Sequence, residues 1–338
     1  MAITVCGSCV EFGSSTMCDT SPGFSFGGTI KAESGFCDIR APGGYGSVSG
    51  YTSGGQRIGA HSEVIDKFPF ASDSSATDVG ELLALGASYG RNRAAGQSSS
   101  TSGYLSGGCS EPLYCNTIEK FPFAVDASAT DVGDLTQARF SVTGQSSLEN
   151  GYTSGGAVPT RLDTIDKFPF AADTNATDVG NLTLARQLTA GQSSSTHGYN
   201  TGGIDSNACD RIDKFLFASD GDATDVSNLS CNRYFLAGQS SDTSGYASGG
   251  VNPPLPGIGD RIDKFPFASD ANTTDVGELT QIRYGTAGQS STVSGYTSAG
   301  YAPPYSDTID KFPFASDSNA TDVGELTQAR FGAAGQQV

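Results

Sequence analysis

"IDKFPFASDANTTDVGELTQIRYGTAGQSSTVSGYTSAG", Ile262 to Gly300, is one phrase of a chain that repeats it six times with small changes. Aligned on the word IDKF, the copies begin at Ile65, Ile118 (as IEKF), Ile165, Ile212, Ile262 and Ile309, at intervals of 53, 47, 47, 50 and 47 residues. A second word, GYTSGG, carries Tyr51, Tyr104, Tyr152, Tyr199, Tyr246 and Tyr296. A third sets Arg91, Arg139, Arg186, Arg233, Arg283 and Arg330 five residues ahead of the glycine of a Gly-Gln pair. Landmarks in fixed order at this period are the mark of propeller blades, units that bury their faces only by stacking on neighbours.

Each unit reads as four short strands and no helix. TAGQSS is small and polar, fit for an inner strand near a crowded axis. GYTSGG is a strand ending in glycines that turn at positive φ. TIDKFPF alternates in the manner of a half-buried strand, with its proline at a strand end, bulge or edge. VGELTQAR supplies the fourth strand after a polar turn. The predicted fold is all-β: a six-bladed propeller of four-stranded blades over residues 45–338, preceded by a Cys-rich arm over residues 1–44.

The Gly pairs Gly54-Gly55, Gly107-Gly108, Gly155-Gly156, Gly202-Gly203 and Gly249-Gly250, each with a Tyr three residues before, resemble the doublet of the kelch family of β-propellers. The sixth copy departs to Ala299-Gly300, and the usual blade tryptophan is missing; Phe pairs such as Phe265 and Phe267 are expected to fill its volume. The resemblance implies architecture and no activity.

The ends predict how the ring closes. The first GYTSGG has only APGGYGSVS before it, and the last unit stops at AGQQV, so Val338 and Ser47 together complete one unit. The C-terminal strand is therefore expected as the innermost strand of the first blade, which removes two sheet edges.

The repeated charges, the six arginines with Asp78, Asp131, Asp178, Asp225, Asp275 and Asp322, are read as structural ties between strands; the sharper alternative is a ring of binding groups. Gln97, Gln145, Gln192, Gln239, Gln289 and Gln336 either line the channel as an amide ring or bond neighbouring backbone. Asp270, Asn272, Thr274 and Asp275 space oxygens as a calcium loop does, but lack the EF-hand glycine and glutamate; turn chemistry explains the same residues. No cofactor is expected.

Cys6, Cys9, Cys18 and Cys37 crowd the arm, and disulfides, a zinc site or free thiols each remain open there. Cys109 with Cys115 is a candidate clip across CSEPLYC, and Cys209 with Cys231 a candidate pair within one blade. The arm, LALGASYGRN before Arg93 and VNPPLPGIGD before Arg261 break the repeat, so partner contacts are expected there.

A net charge of −17 disfavours nucleic acid and anionic membranes. No run is long and apolar enough to span a bilayer, and MAITVCGSCVEF has no basic leader, which predicts synthesis in a cytoplasm. Two histidines, His61 and His197, fall in different blades, too few and too distant for the Tyr/His copper set of some kelch-like oxidases; no enzyme is expected. The repeat wording resembles tandem-repeat proteins of tailed bacteriophages of marine cyanobacteria. That resemblance implies a non-enzymatic virion surface or structural protein, in a capsid decoration or tail-fibre role. The arm would meet other virion proteins, with the chain as a homo-oligomer within the particle, and the propeller a host-surface glycan or protein. The alternative is a kelch-type binding module, extracellular or cytoplasmic, with no particle.

Overall fold

The computed structural model describes residues 3–6, 9–12, 15–18, 47–83, 91–109, 113–253 and 257–338. The chain divides into two compact units, residues 1–39 and 40–338. In the first, strands Ile3–Cys6, Cys9–Phe12 and Ser15–Cys18 form an antiparallel meander whose register sets Cys6 opposite Cys9 and Cys9 opposite Cys18. Cys37 lies outside the described residues.

The second unit is a six-bladed β-propeller, each blade a four-stranded antiparallel sheet. Blade five is typical: Ala237–Ser240 is innermost, then Ser244–Ser248, Arg261–Pro266 and, outermost, Thr274–Glu278. Blade one draws its innermost strand, Ala334–Gln337, from the far end of the sequence, paired antiparallel with Ser49–Ser53 (Gln336 opposite Tyr51). The closure anticipated from the split repeat is present.

Two local readings need correction. The alternation predicted for IDKF fails, because Ile262 and Asp263 are both fully buried. Blades stack face to face, so both sides of a strand are covered; a bulge at this Ile/Asp step recurs in all six blades. The fourth strand begins earlier than VGELTQAR suggests and stops at Glu278, before Leu279. The residues after it leave the ladder to bond the next blade.

Small residues govern how closely the blades approach. At Gly191 a Cβ would overlap the carbonyl oxygen of Gly144 on the neighbouring inner strand, and the same holds around the ring to Gly335 and Gly288. Farther out, each repeated Tyr inserts between the two Phe rings of the next blade. Tyr199 stacks on Phe267 at 4.9 Å and tilts against Phe265 at 5.4 Å, and Tyr296 repeats this on Phe70 and Phe68 across the seam. Each such aromatic pair is worth about 0.5–1.5 kcal/mol beyond its buried area. Burial pushes the Tyr199 phenol up to about 12, so it stays a neutral donor throughout the useful pH range.

Deleting Ala334–Val338 leaves blade one without its innermost strand. The expected result is a large fall in melting temperature and loss of a single cooperative transition, measured by calorimetry; an unchanged transition would contradict strand-mediated closure.

Candidate functional site

The six repeated arginines are almost wholly removed from solvent. Each leads into an inner strand and reaches a carboxylate on the third strand of that same blade: Arg91 to Glu119 at 2.6 Å, Arg139 to Asp166 at 3.2 Å, Arg186 to Asp213 at 3.2 Å, Arg233 to Asp263 at 2.7 Å, Arg283 to Asp310 at 2.9 Å, and Arg330 to Asp66 at 3.0 Å. Burial lowers the pKa of Arg186 and Arg330, and the facing aspartate opposes it. The second claim on each carboxylate comes from the preceding blade. Thr183 N–H and Oγ1 donate to Asp213 at 2.9 and 2.7 Å, and Thr280 and Thr327 repeat this on Asp310 and Asp66. One carboxylate therefore ties two blades.

This corrects the identity of the acid partners. Asp78, Asp131, Asp178, Asp225, Asp275 and Asp322 are exposed. Five of them accept the backbone N–H two residues on, as Asp178 does from Gly180 at 3.2 Å, and Asp225 pairs with Arg211 at 2.7 Å. The buried acid is the one just before the repeated lysine, legible as the D of IDKF and kept acidic even where the word becomes IEKF. The lysines themselves form a surface belt to the next blade, from Lys67–Asp126 at 3.2 Å round to Lys311–Asp73 at 2.8 Å. Of the calcium-like oxygens, Asp270 bonds Lys214, Asn272 Oδ1 accepts from the Asn228 N–H, and Asp275 Oδ1 accepts from Gly277. Among the described residues no three His, Cys, Asp or Glu gather as a metal site.

The glutamines act between blades. Gln145 Nε2 donates to the Tyr199 carbonyl at 2.9 Å, Gln192 to Tyr246 at 2.9 Å, Gln239 to Tyr296 at 3.0 Å, and Gln289 to Tyr51 at 2.9 Å; Gln97 and Gln336 do the same to Tyr152 and Tyr104. Bonding to neighbouring backbone is present, and Gln97, Gln145, Gln192 and Gln239 are also among the residues that line the axial cavity. The axis itself holds a cavity of about 160 Å³ lined by the inner strands.

Symmetry breaks on the face that carries the Gly-Gly loops. The residues two places after the repeated arginines, Arg93, Ser141, Leu188, Phe235, Gly285 and Gly332, all take left-handed φ between 56° and 68°. Each donates its N–H to the carbonyl of its counterpart one blade back. The belt closes across the seam from Arg93 N to Gly332 O at 2.8 Å. Sequence reading missed this belt; its one signal is the glycine that appears there in two copies. The side chains on it differ in every blade but two. Arg93 lies over Phe140, Phe235 and Phe331 at 5.8, 5.1 and 5.6 Å, a cation held by three aromatic faces. Phe235 also meets Tyr284 at 5.5 Å, and Tyr284 meets Tyr301 at 5.4 Å. Cys109 and Cys115 form a disulfide that clips the loop carrying Tyr114, whose ring packs on Phe140 at 5.4 Å.

Cys209 and Cys231 do not pair; both are free thiols. The Cys209 sulfur turns onto the carbonyls of Gly203 and Gly202 at 3.3 and 3.6 Å, and Cys231 sits beside the Ser230 hydroxyl at 3.9 Å. The repeat-breaking stretches at 84–90 and 254–256 lie outside the described residues. His197, beside Tyr199 at 6.3 Å, and His61 remain in separate blades. The His61 pKa is lowered, first by burial and then by Arg93.

Replacing Arg186 with Met leaves Asp213 buried without its ion partner, a loss of about 3–5 kcal/mol. Chemical denaturation is expected to show it, and the double change Arg186→Met with Asp213→Leu should recover part. Since the folded His61 pKa is depressed, its contribution to stability is present above the unfolded value near 6.5 and declines as pH falls below it. Proton NMR should place His61 below 6.5, moving upward in Arg93→Met.

No family model matches this chain, and no curated protein sequence is similar to it.

Proposed function

We propose that this chain is a non-catalytic recognition protein whose propeller presents its loop face to a host-surface glycan. The observation that carries this reading is where sixfold regularity fails. Inside the ring, equivalent positions hold near-identical contacts. At the loop-face mouth they hold Arg93, Phe235, Tyr284 and Phe331, with Tyr301 and Tyr305 beside them. A single ligand needs one set of groups, and asymmetry is concentrated there. Half-exposed tyrosines offer apolar faces for the C–H side of a sugar ring and hydroxyls for its rim. Gln56, bridged to Phe331 by backbone bonds of 2.7 and 2.9 Å, adds a half-buried amide beside these rings, held by the buried Asn92, whose Nδ2 meets it at 3.5 Å.

The reading extends to a virion surface. The polypeptide enters the ring at Val48, whose N–H bonds the Val338 carbonyl at 2.6 Å. That entry is on the face of the inner-strand turns, opposite the aromatic mouth. The resemblance of the repeat wording to phage tandem-repeat proteins supports a virion surface, with other virion proteins as partners of the N-terminal unit.

The test is binding of the purified full chain to a glycan array, followed by co-sedimentation with particles. Tyr301→Ala with Tyr305→Ala is expected to weaken binding about tenfold or more while the melting temperature stays within a few degrees. Binding that survives these changes would sink the assignment of the face. Retention of a host protein in place of any glycan would change the ligand class, and a chain absent from particles would leave a free binding module.

A further inference from the structure

We infer that Cys6, Cys9 and Cys18 form a thiol–disulfide exchange row in the N-terminal unit, with Cys9 shared between two mutually exclusive bonds. One cysteine of the three then always remains a thiol, ready to exchange with a disulfide of another molecule. The inference is independent of the proposed glycan face.

Register sets the row. Cys6 lies opposite Cys9 and Cys9 opposite Cys18, so the three follow one another across the strands Ile3–Cys6, Cys9–Phe12 and Ser15–Cys18. Opposed residues of an antiparallel pair share a face of the sheet. By the same register that face carries Thr4, Glu11 and Thr16 as its next row. The other face carries Ile3, Val5, Val10, Phe12, Ser15 and Met17. The cysteines thus fall on the polar face of the meander, apart from its apolar residues.

Distances decide which bonds the row allows. Opposed residues in antiparallel strands have Cα atoms about 4.5–5.5 Å apart, inside the range of about 4.4–6.8 Å that a disulfide spans. Cys6 with Cys9 and Cys9 with Cys18 both qualify. Cys6 and Cys18 are two strands apart, about 9.5 Å at the usual spacing, beyond what a disulfide bridges without backbone movement. Cys9 is therefore a partner in either bond, and each bond excludes the other.

The same order suits the exchange itself. A thiolate attacks one sulfur of a disulfide, in line with the bond that breaks. Cys6 and Cys18 stand on strands either side of Cys9. The Cys6 thiolate attacks the Cys9 sulfur of a Cys9–Cys18 bond, and the Cys18 sulfur leaves with the electron pair and takes up a proton. One S–S bond forms as another breaks, and no oxidant is consumed. Making the first bond does consume one: oxidised glutathione, in two successive exchanges, gives one protein disulfide and two reduced glutathiones. The thiol left at Cys6 or Cys18 reacts in the same way with a disulfide on a partner protein and joins the two chains covalently.

The experiment maps disulfides in the full chain carrying Cys37→Ser, Cys209→Ser and Cys231→Ser, which leaves the row and the Cys109–Cys115 pair as its cysteines. The chain is equilibrated in a glutathione buffer, quenched with acid and cleaved after Glu11, a cut that parts Cys6 and Cys9 from Cys18 unless a bond holds them. Mass spectrometry is expected to find both isomers, Cys6–Cys9 and Cys9–Cys18, with glutathione on Cys18 in the first and on Cys6 in the second. Cys9→Ser should lose both bonds and carry glutathione on Cys6 and Cys18 alike. Cys6→Ser should keep the Cys9–Cys18 bond and lose glutathione uptake in the row. A Cys6–Cys18 bond in any of these chains, a single isomer in the parent, or a row that takes up no glutathione would overturn the proposal, whatever the chain does with glycans or particles.

Discussion

A guanidinium and a carboxylate taken out of water together must find each other, because either one alone in the interior costs several kcal/mol. In this ring that requirement is used six times over. Arg186 enters blade four with Asp213 already waiting on the third strand, and Thr183 of blade three holds the same carboxylate from the other side. The pair cannot form correctly unless the two blades are in register. The buried charge adds little net stability over an apolar replacement, but it discriminates sharply against a slipped or open arrangement. The other belts follow from the spacing it sets. Inner strands come close enough that only glycine fits at Gly191, and the tyrosine of one blade reaches the paired phenylalanines of the next.

The architecture was legible because it is periodic. A word that recurs every 47 residues reports a structural unit however its contacts are arranged, and a unit split between the two ends reports its own closure. The partners were less legible. An acid recurs in every copy at both the Asp178 and the Asp213 positions, the latter as Glu119 in one, and nothing in their spacing from Arg186 says which one is buried. The distinction depends on the bulge after Ile212, beyond which Asp213 lies in the interface, while Asp178 and its counterparts stay exposed on the outermost strand. Cys209 and Cys231 share a blade, which in the sequence admits a bond, yet their sulfurs meet different partners, the Gly203 carbonyl and the Ser230 hydroxyl. The mouth was the least legible of all. Arg93, Phe235 and Phe331 are distant in sequence, sit at positions where the repeat is loosest, and meet only because the chain has gone round.

Regular and irregular parts have separate duties here. Identical contacts at equivalent positions distribute stability evenly, so that no blade is a weak member. That evenness lets the side chains differ from blade to blade two residues past each arginine, where only the backbone forms the belt, and in the loops beyond each glycine pair. The disulfide between Cys109 and Cys115 belongs to this second class: it fixes Tyr114 against Phe140 and so steadies one wall of the mouth.

The seam between Val338 and Val48 has one more implication. It is an interrupted copy of the short turn that joins the inner two strands in every other blade, and the backbone there bonds across the gap much as the intact turns do. A break in the covalent path at Ser194–His197, or at any of the four remaining equivalents, would sit in the same surroundings. With the present gap bridged by a few residues, circularly permuted versions of the disc should assemble from five alternative starting points.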